Sequence, residues 1–141
     1  MLQLYGELNV AKRVLVVEDN ELNLRLFCDL LRAHHYETEG VRDAREALDR
    51  ARLYMPEIIV MDIQMPHITG LELIEAIRRD LTLRRIPIMA VTAYAAPGDE
   101  DKIRASGADA YVAKPISLMR FMDSITGLAE LSDGRALPIM G

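Results

Sequence analysis

The chain has 141 residues, half of them hydrophobic and 28% charged, with a formal net charge of −5. That size suits one globular domain with its own core, and the composition excludes a disordered or fibrous chain. The acidic balance disfavours nucleic-acid binding through a general basic field, the lone Cys28 excludes an intramolecular disulfide, and no apolar run reaches the ~20 residues that span a bilayer.

Residues 1–12 (MLQLYGELNVAK) form an N-terminal extension, in which Leu2, Leu4, Tyr5 and Leu8 can pack on the domain or on a partner. Loose attachment is the commoner fate of such a segment. It lacks the basic-then-apolar layout of a secretory signal, so a cytoplasmic protein is expected. RVLVV (13–17) reads as a buried strand: short, β-branched and apolar. It stops at Glu18-Asp19-Asn20, and Asn20 is a natural cap for the helix that follows. Leu22, Leu26 and Leu30, with Phe27 and Leu31, give that helix its expected apolar face, and Cys28 reads as a small core residue.

A second short strand is expected from Glu37 to Val41, then a helix over 43–53, where Ala44, Ala47, Leu48 and Ala51 recur at helical spacing. After Pro56, IIVMD (58–62) is a buried strand ending on Asp62. The loop QMPHITG leads to a helix over about 70–80. Pro87 opens the strand IMAVT (88–92), which ends on Thr92. A Pro-Gly turn at 97–98 and the acidic run GDED precede a weaker helix ending near 106. AYVAK (110–114) is a fifth strand ending on Lys114-Pro115, an X-Pro bond that can adopt the cis form. The last helix, 117–131, carries Leu118, Phe121, Met122, Ile125, Leu128 and Ala129 at helical spacing, and the tail 132–141 is expected to fray. His34, His35 and His67 lack zinc-binding spacing and read as loop or helix-end residues, while the methionines read as packing.

Five βα repeats with apolar strands imply an α/β fold: a doubly wound, five-stranded parallel sheet flanked by five helices. In such a sheet the carboxyl ends of the strands share one edge, where ligands bind. Glu18, Asp19, Asp62, Thr92 and Lys114 all follow or end different strands and so collect there. Three carboxylates crowded together repel, and in isolation one should protonate. A hard divalent cation relieves this. Mg²⁺, with Mn²⁺ as a substitute, takes oxygen ligands, so Asp19 and Asp62 are the expected direct ligands, Glu18 acts through a water, and the backbone carbonyl of Gln64 completes the set. Lys114 and Thr92 can hold phosphoryl oxygens, which leaves Asp62 as nucleophile. Gln64 and Tyr94 lie two residues beyond Asp62 and Thr92 and are expected to tune the reaction. A bulky Tyr94 would hinder attacking water and lengthen the phosphorylated lifetime; a plain surface contact is the equal alternative.

VLVVEDN, MDIQMPHITG, AVTA and YVAKP together resemble the receiver domain of two-component response regulators, over about 13–131. That resemblance implies a flavodoxin-like, CheY-like fold and phosphotransfer from a histidine kinase or phosphotransferase to Asp62. It implies a switch in which Thr92 moves toward the phosphoryl group and Tyr111 turns inward, changing the face made by the fourth helix, fifth strand and fifth helix. EDNELNLRLFCDLL, IPIMAVTAYAAPGDE and KIRASGADAY are more specifically similar to DivK-type single-domain regulators, which implies a part in bacterial cell-cycle, division or polarity signalling. Many receivers carry Asp where this chain has Glu18; the longer arm still serves a metal through water. Too few residues follow the last helix for an effector domain, so output is expected through protein contacts of a monomer, without nucleic acid or membrane.

Other functions were weighed. A phosphohydrolase built on an aspartyl phosphate resembles Asp-x-Asp, and here the third position is Gln64. A nucleotide or flavin module needs glycine in the first strand-to-helix turn, which reads EDNELN. A phosphorylation-independent binding module remains the alternative closest to the main reading. The expected protein is a phosphoacceptor switch whose only chemistry is its own phosphorylation and slow dephosphorylation, not a turnover enzyme.

Overall fold

The computed structural model describes residues 11–93 and 96–136. The strands are β1 (Arg13–Val17), β2 (Glu37–Val41), β3 (Ile58–Asp62), β4 (Ile88–Thr92) and β5 (Ala110–Ala113). The helices are α1 (Glu21–Ala33), α2 (Ala47–Tyr54), α3 (Gly70–Arg79), α4 (Asp99–Ser106) and α5 (Leu118–Ala136). All four strand pairings are parallel, in the order β2-β1-β3-β4-β5.

Because successive strand residues point to opposite faces, each strand feeds two cores. Leu15, Val17, Ile59, Met61, Ile88 and Ala90 face α2, α3 and α4, against Ala51, Leu73, Ile74, Ile77 and Ile103. Val14, Val16, Ile58, Val60, Met89 and Val91 face α1 and α5, against Leu31, Ile125 and Leu128. Phe27 of α1 stacks on Phe121 of α5 with ring centroids 5.2 Å apart, which joins the two helices of that layer. Burial on both faces is why the strands read as continuous apolar runs.

Local chemistry sets the helix starts. The Asn20 side chain accepts from the Asn23 N–H at 2.9 Å, as a capping residue should. Thr69 and Glu72 form a capping box that opens α3. Gly70, the next residue, packs against β3 so closely that a Cβ would lie 2.6 Å from the Ile63 Cα. Its N–H donates to the Ile63 carbonyl at 3.0 Å, fastening the loop that follows Asp62.

Three expectations are corrected. Leu22 and Leu26 are 76% and 47% exposed; the buried stripe of α1 is Phe27, Cys28 and Leu31. The ring stack with Phe121 fixes the rotation of α1 and turns the Leu22–Leu26 row outward. The second helix begins as a separate 3₁₀ turn, Ala44–Glu46, capped by Asp43. The last helix does not end at 131 but runs to Ala136. Its buried face continues through the polar Ser132, and Arg135 donates to Asp109 Oδ1 at 2.7 Å. Lys12 bridges to Asp133 on the same turn. Residues 1–10, 137–141, Tyr94 and Ala95 lie outside the described residues, so the expectations for Leu2, Leu4, Tyr5, Leu8 and Tyr94 do too.

Asp109 precedes β5 and knots the amino-terminal end of the sheet. Its Oδ2 accepts from Arg78 Nη2 of α3 at 2.8 Å and from the Ile88 N–H of β4 at 3.0 Å, beside the Arg135 contact. Removing one partner of a part-buried, hydrogen-bonded set costs more when it strands like charges together. Asp109→Ala, which leaves two guanidiniums facing each other, should lower unfolding stability by roughly 2–3 kcal/mol, against about 1 kcal/mol for Arg135→Ala. Urea denaturation of both variants checks this, and equal losses would contradict the knot.

Candidate functional site

The order of strands reverses between β1 and β3, so the crevice at their carboxyl ends is the place where such a fold binds ligands. Glu18 extends β1 by one residue, its N–H donating to the Val41 carbonyl of β2 at 2.9 Å. Its carboxyl is 1% exposed. Oε2 accepts from the Asn20 N–H at 3.1 Å, while the buried Oε1 makes no hydrogen bond of good geometry among the described residues and lies 3.5 Å from Lys114 Nζ. Asp62 ends β3 and is buried as well. Its Oδ1 accepts from the Gln64 N–H at 3.0 Å, and its Oδ2 faces Lys114 Nζ at 3.4 Å. Asp19 is half-buried, and its carbonyl accepts from Arg42 Nε at 3.3 Å.

One carboxylate oxygen from each of Glu18, Asp19 and Asp62 lies within 4.8 Å of the others. Burial pushes the Glu18 carboxyl up to about 7; the Asp62 charge adds to the rise, and the Asn20 N–H and Lys114 oppose it. The Glu18 carboxyl thus holds its proton to higher pH than an ordinary glutamate. The donor set fits a hard divalent cation: three carboxylates against one ammonium, all oxygen donors, and a buried Glu18 oxygen left unsatisfied among the described residues.

Thr92 and Lys114 come to the same edge of the sheet from the ends of β4 and β5. Thr92 is 2% exposed at the end of β4. The Lys114 N–H donates to the Thr92 carbonyl at 2.7 Å, carrying the β4–β5 pairing past the end of β5. The Lys114–Pro115 bond is cis. The fold therefore brings Glu18, Asp19, Asp62, Gln64, Thr92 and Lys114 together. Tyr111 lies apart from them, half-buried in β5 beside an open cleft of about 450 Å³ whose lining includes Glu100, Ser117, Arg120 and Asp123. Arg42 escaped the sequence reading, and Gln64, expected there as a tuning residue, makes a bridge that the sequence did not foretell. Arg42 follows β2 and so obeys the same strand-end rule that exposed the others. The Gln64 side chain spans to β4: Nε2 donates to Thr92 Oγ1 at 2.8 Å and Oε1 accepts from the Ala93 N–H at 3.0 Å.

Known proteins share this arrangement in both sequence and shape. The response regulator receiver domain family matches residues 14–126. The polar-differentiation response regulator DivK of Brucella ovis is 51% identical over 116 residues, covering 82% of this chain and 94% of that protein. Its counterpart in Brucella anthropi is 52% identical over the same span. Among solved structures, the receiver domain of the Pseudomonas aeruginosa sensor histidine kinase PA1611, which has a magnesium ion in its active-site cleft, superposes with a TM-score of 0.78 at 29% identity, over 85% of this chain and 98% of that one. The chemotaxis response regulator CheY4 of Vibrio cholerae gives a TM-score of 0.78 at 27% identity, over 84% and 98%. An acidic crevice at the switch point of a five-stranded parallel sheet, matched by family over most of its length, places the chain in the response regulator receiver domain family, whose members act as signalling switches.

Proposed function

We propose that Asp62 is the phosphoacceptor. The observation that carries this reading is the position of its buried carboxylate, clustered with the carboxylates of Glu18 and Asp19 and 3.4 Å from the Lys114 ammonium. An Asp62 oxygen attacks the phosphorus of a phosphohistidine on a histidine kinase or phosphotransferase. The new O–P bond forms as the P–N bond breaks, and the electron pair leaves with the imidazole nitrogen. Lys114 and Thr92 hold phosphoryl oxygens as they take up charge. Asp19, Asp62 and the Gln64 carbonyl would hold Mg²⁺, or Mn²⁺ in its place, with Glu18 acting through water, and the metal would neutralise charge on the phosphoryl group. The only turnover is slow hydrolysis of the protein's own acyl phosphate, with Tyr94 and Gln64 tuning its rate.

Phosphorylation adds about −1.5 to −2 charges at the site. Thr92 and Tyr111 are the elements that respond, and the face of α4, β5 and α5, with its cleft beside Tyr111, carries the signal to a protein target. By likeness to the polar-differentiation regulators, the pathway is bacterial cell-cycle or polarity control. The switch is read as a cytoplasmic monomer, and no helix among the described residues is long and apolar enough to cross a membrane.

Two measurements test the reading. Incubation with Mg²⁺ and acetyl phosphate should give one phosphoryl adduct by intact mass, lost in Asp62→Ala and when the metal is chelated. An adduct that survives Asp62→Ala sinks the phosphoacceptor, and no adduct on the wild type favours a phosphorylation-independent binding module. The second test is the pH dependence of metal affinity. Binding must displace the Glu18 proton, so Mg²⁺ affinity should fall by up to roughly tenfold per pH unit below about 7. Without metal, the folded protein holds a proton between about 4.5 and 7 that the unfolded chain has lost, so the Glu18 contribution to stability is largest below that window and declines as pH rises through it. Calorimetric Mg²⁺ titrations at several pH values check this, with a flattened profile expected for Glu18→Gln.

A further inference from the structure

The β3–β4 ladder ends where the Ile63 N–H donates to the Val91 carbonyl at 2.9 Å. Beyond that point the two strands would part, and the Gln64 side chain bridges the gap. The direction of the bridge is fixed by its chemistry. A backbone N–H can only donate, so the carboxamide oxygen must face Ala93, which turns the amide NH₂ toward Thr92 Oγ1. One side chain therefore holds the hydroxyl and the following backbone N–H at the carboxyl end of β4. These are polar groups that a phosphoryl group on Asp62 would draw on.

Beside the bridge lies a cavity of about 170 Å³ lined by Ile63, Gln64, Leu71, Thr92, Asp99, Lys102 and Ile103, under the start of α4. Elsewhere the core residues flanking β3 and β4 are almost wholly buried. Space at this corner gives a displaced carboxamide somewhere to go without repacking the core.

We propose that the Gln64 carboxamide is the latch of the resting state: a positioning residue that holds Thr92 and Ala93 in place and is displaced when Asp62 carries a phosphoryl group. This rests on the reading of Asp62 as phosphoacceptor and adds how that event is opposed. Movement of Thr92 toward Asp62 must stretch the bond to Gln64 Nε2, so the bridge stabilises only the resting arrangement. A ligand that favours the other arrangement then binds more weakly by the fraction of molecules held latched. The latch sets the threshold of the switch, while the Gln64 backbone carbonyl keeps its separate place toward the metal.

The test uses the full chain, ¹⁵N-labelled, with Mg²⁺ and beryllofluoride as a phosphoryl mimic. Gln64→Met keeps the length of the side chain and removes both hydrogen bonds, and Gln64→Ala removes the bulk as well. Without the mimic, exchange of the Ala93 amide should be at least roughly tenfold faster in Gln64→Met than in the wild type. Affinity for the mimic should rise in both variants by about threefold to tenfold, the worth of one or two modest hydrogen bonds. Unchanged Ala93 exchange overturns the latch, and so does an affinity that is unchanged or weaker in Gln64→Met. A gain confined to Gln64→Ala would also overturn it, because steric access and not lost hydrogen bonding would then explain the effect. If the wild type fails to bind the mimic, the phosphoacceptor reading falls and takes the latch with it; if the wild type binds and Gln64→Met behaves identically, only the latch falls.

Discussion

Three carboxylates and one ammonium share the corner of the sheet between β1 and β3, and the rest of the molecule is arranged around that imbalance. Charges of one sign do not gather in a buried place unless something holds them. Here the holding is done by backbone: the Asn20 N–H on Glu18, the Gln64 N–H on Asp62, and the strand pairing that continues through Glu18 and Lys114. The sheet order makes β1 and β3 neighbours, so two separate acidic segments cannot avoid each other. The high proton affinity of Glu18 comes first from its burial, and the neighbouring Asp62 charge adds to it. A divalent cation, and later the charge of a phosphoryl group, would redistribute the repulsion, and that is what suits the site to a response regulator.

Much of this was legible before any coordinates. β1, β3 and β4 fall on the expected residues because short apolar runs bounded by turns leave little choice, and the polar edge strand β2 falls on its expected residues too. The site was legible for a related reason: polar residues that interrupt apolar strands at one end share an edge in any parallel sheet. Asn20 announced its own helix.

What was hidden depends on contacts between distant segments. Leucines alone cannot tell which of two adjacent rows of α1 faces inward. Phe27 meeting Phe121, some ninety residues later, decides it. Gly134 looks like a helix end, and only the anchoring of Arg135 on Asp109 shows why α5 continues. The role of the Gln64 side chain was hidden for a similar reason. Its backbone position could be counted from Asp62, but its reach to Thr92 and Ala93 requires β3 and β4 side by side.

The Asp109 knot also has a mechanical consequence. It joins α3, the start of β4 and the end of α5 just ahead of β5, so these pieces cannot shift independently at that end of the sheet. At the far end, the same two strands are linked by the Lys114 N–H on the Thr92 carbonyl and steadied by one glutamine amide. β4 and β5 are thus braced like cantilevers, with charged side chains clamping the root and the glutamine amide supporting the tip. A disturbance at the tip is not spread evenly through such a body. Its displacement is greatest where the chemistry happens and shrinks toward the root, so the loops and outer face around the strand tips can move while the base remains a fixed reference.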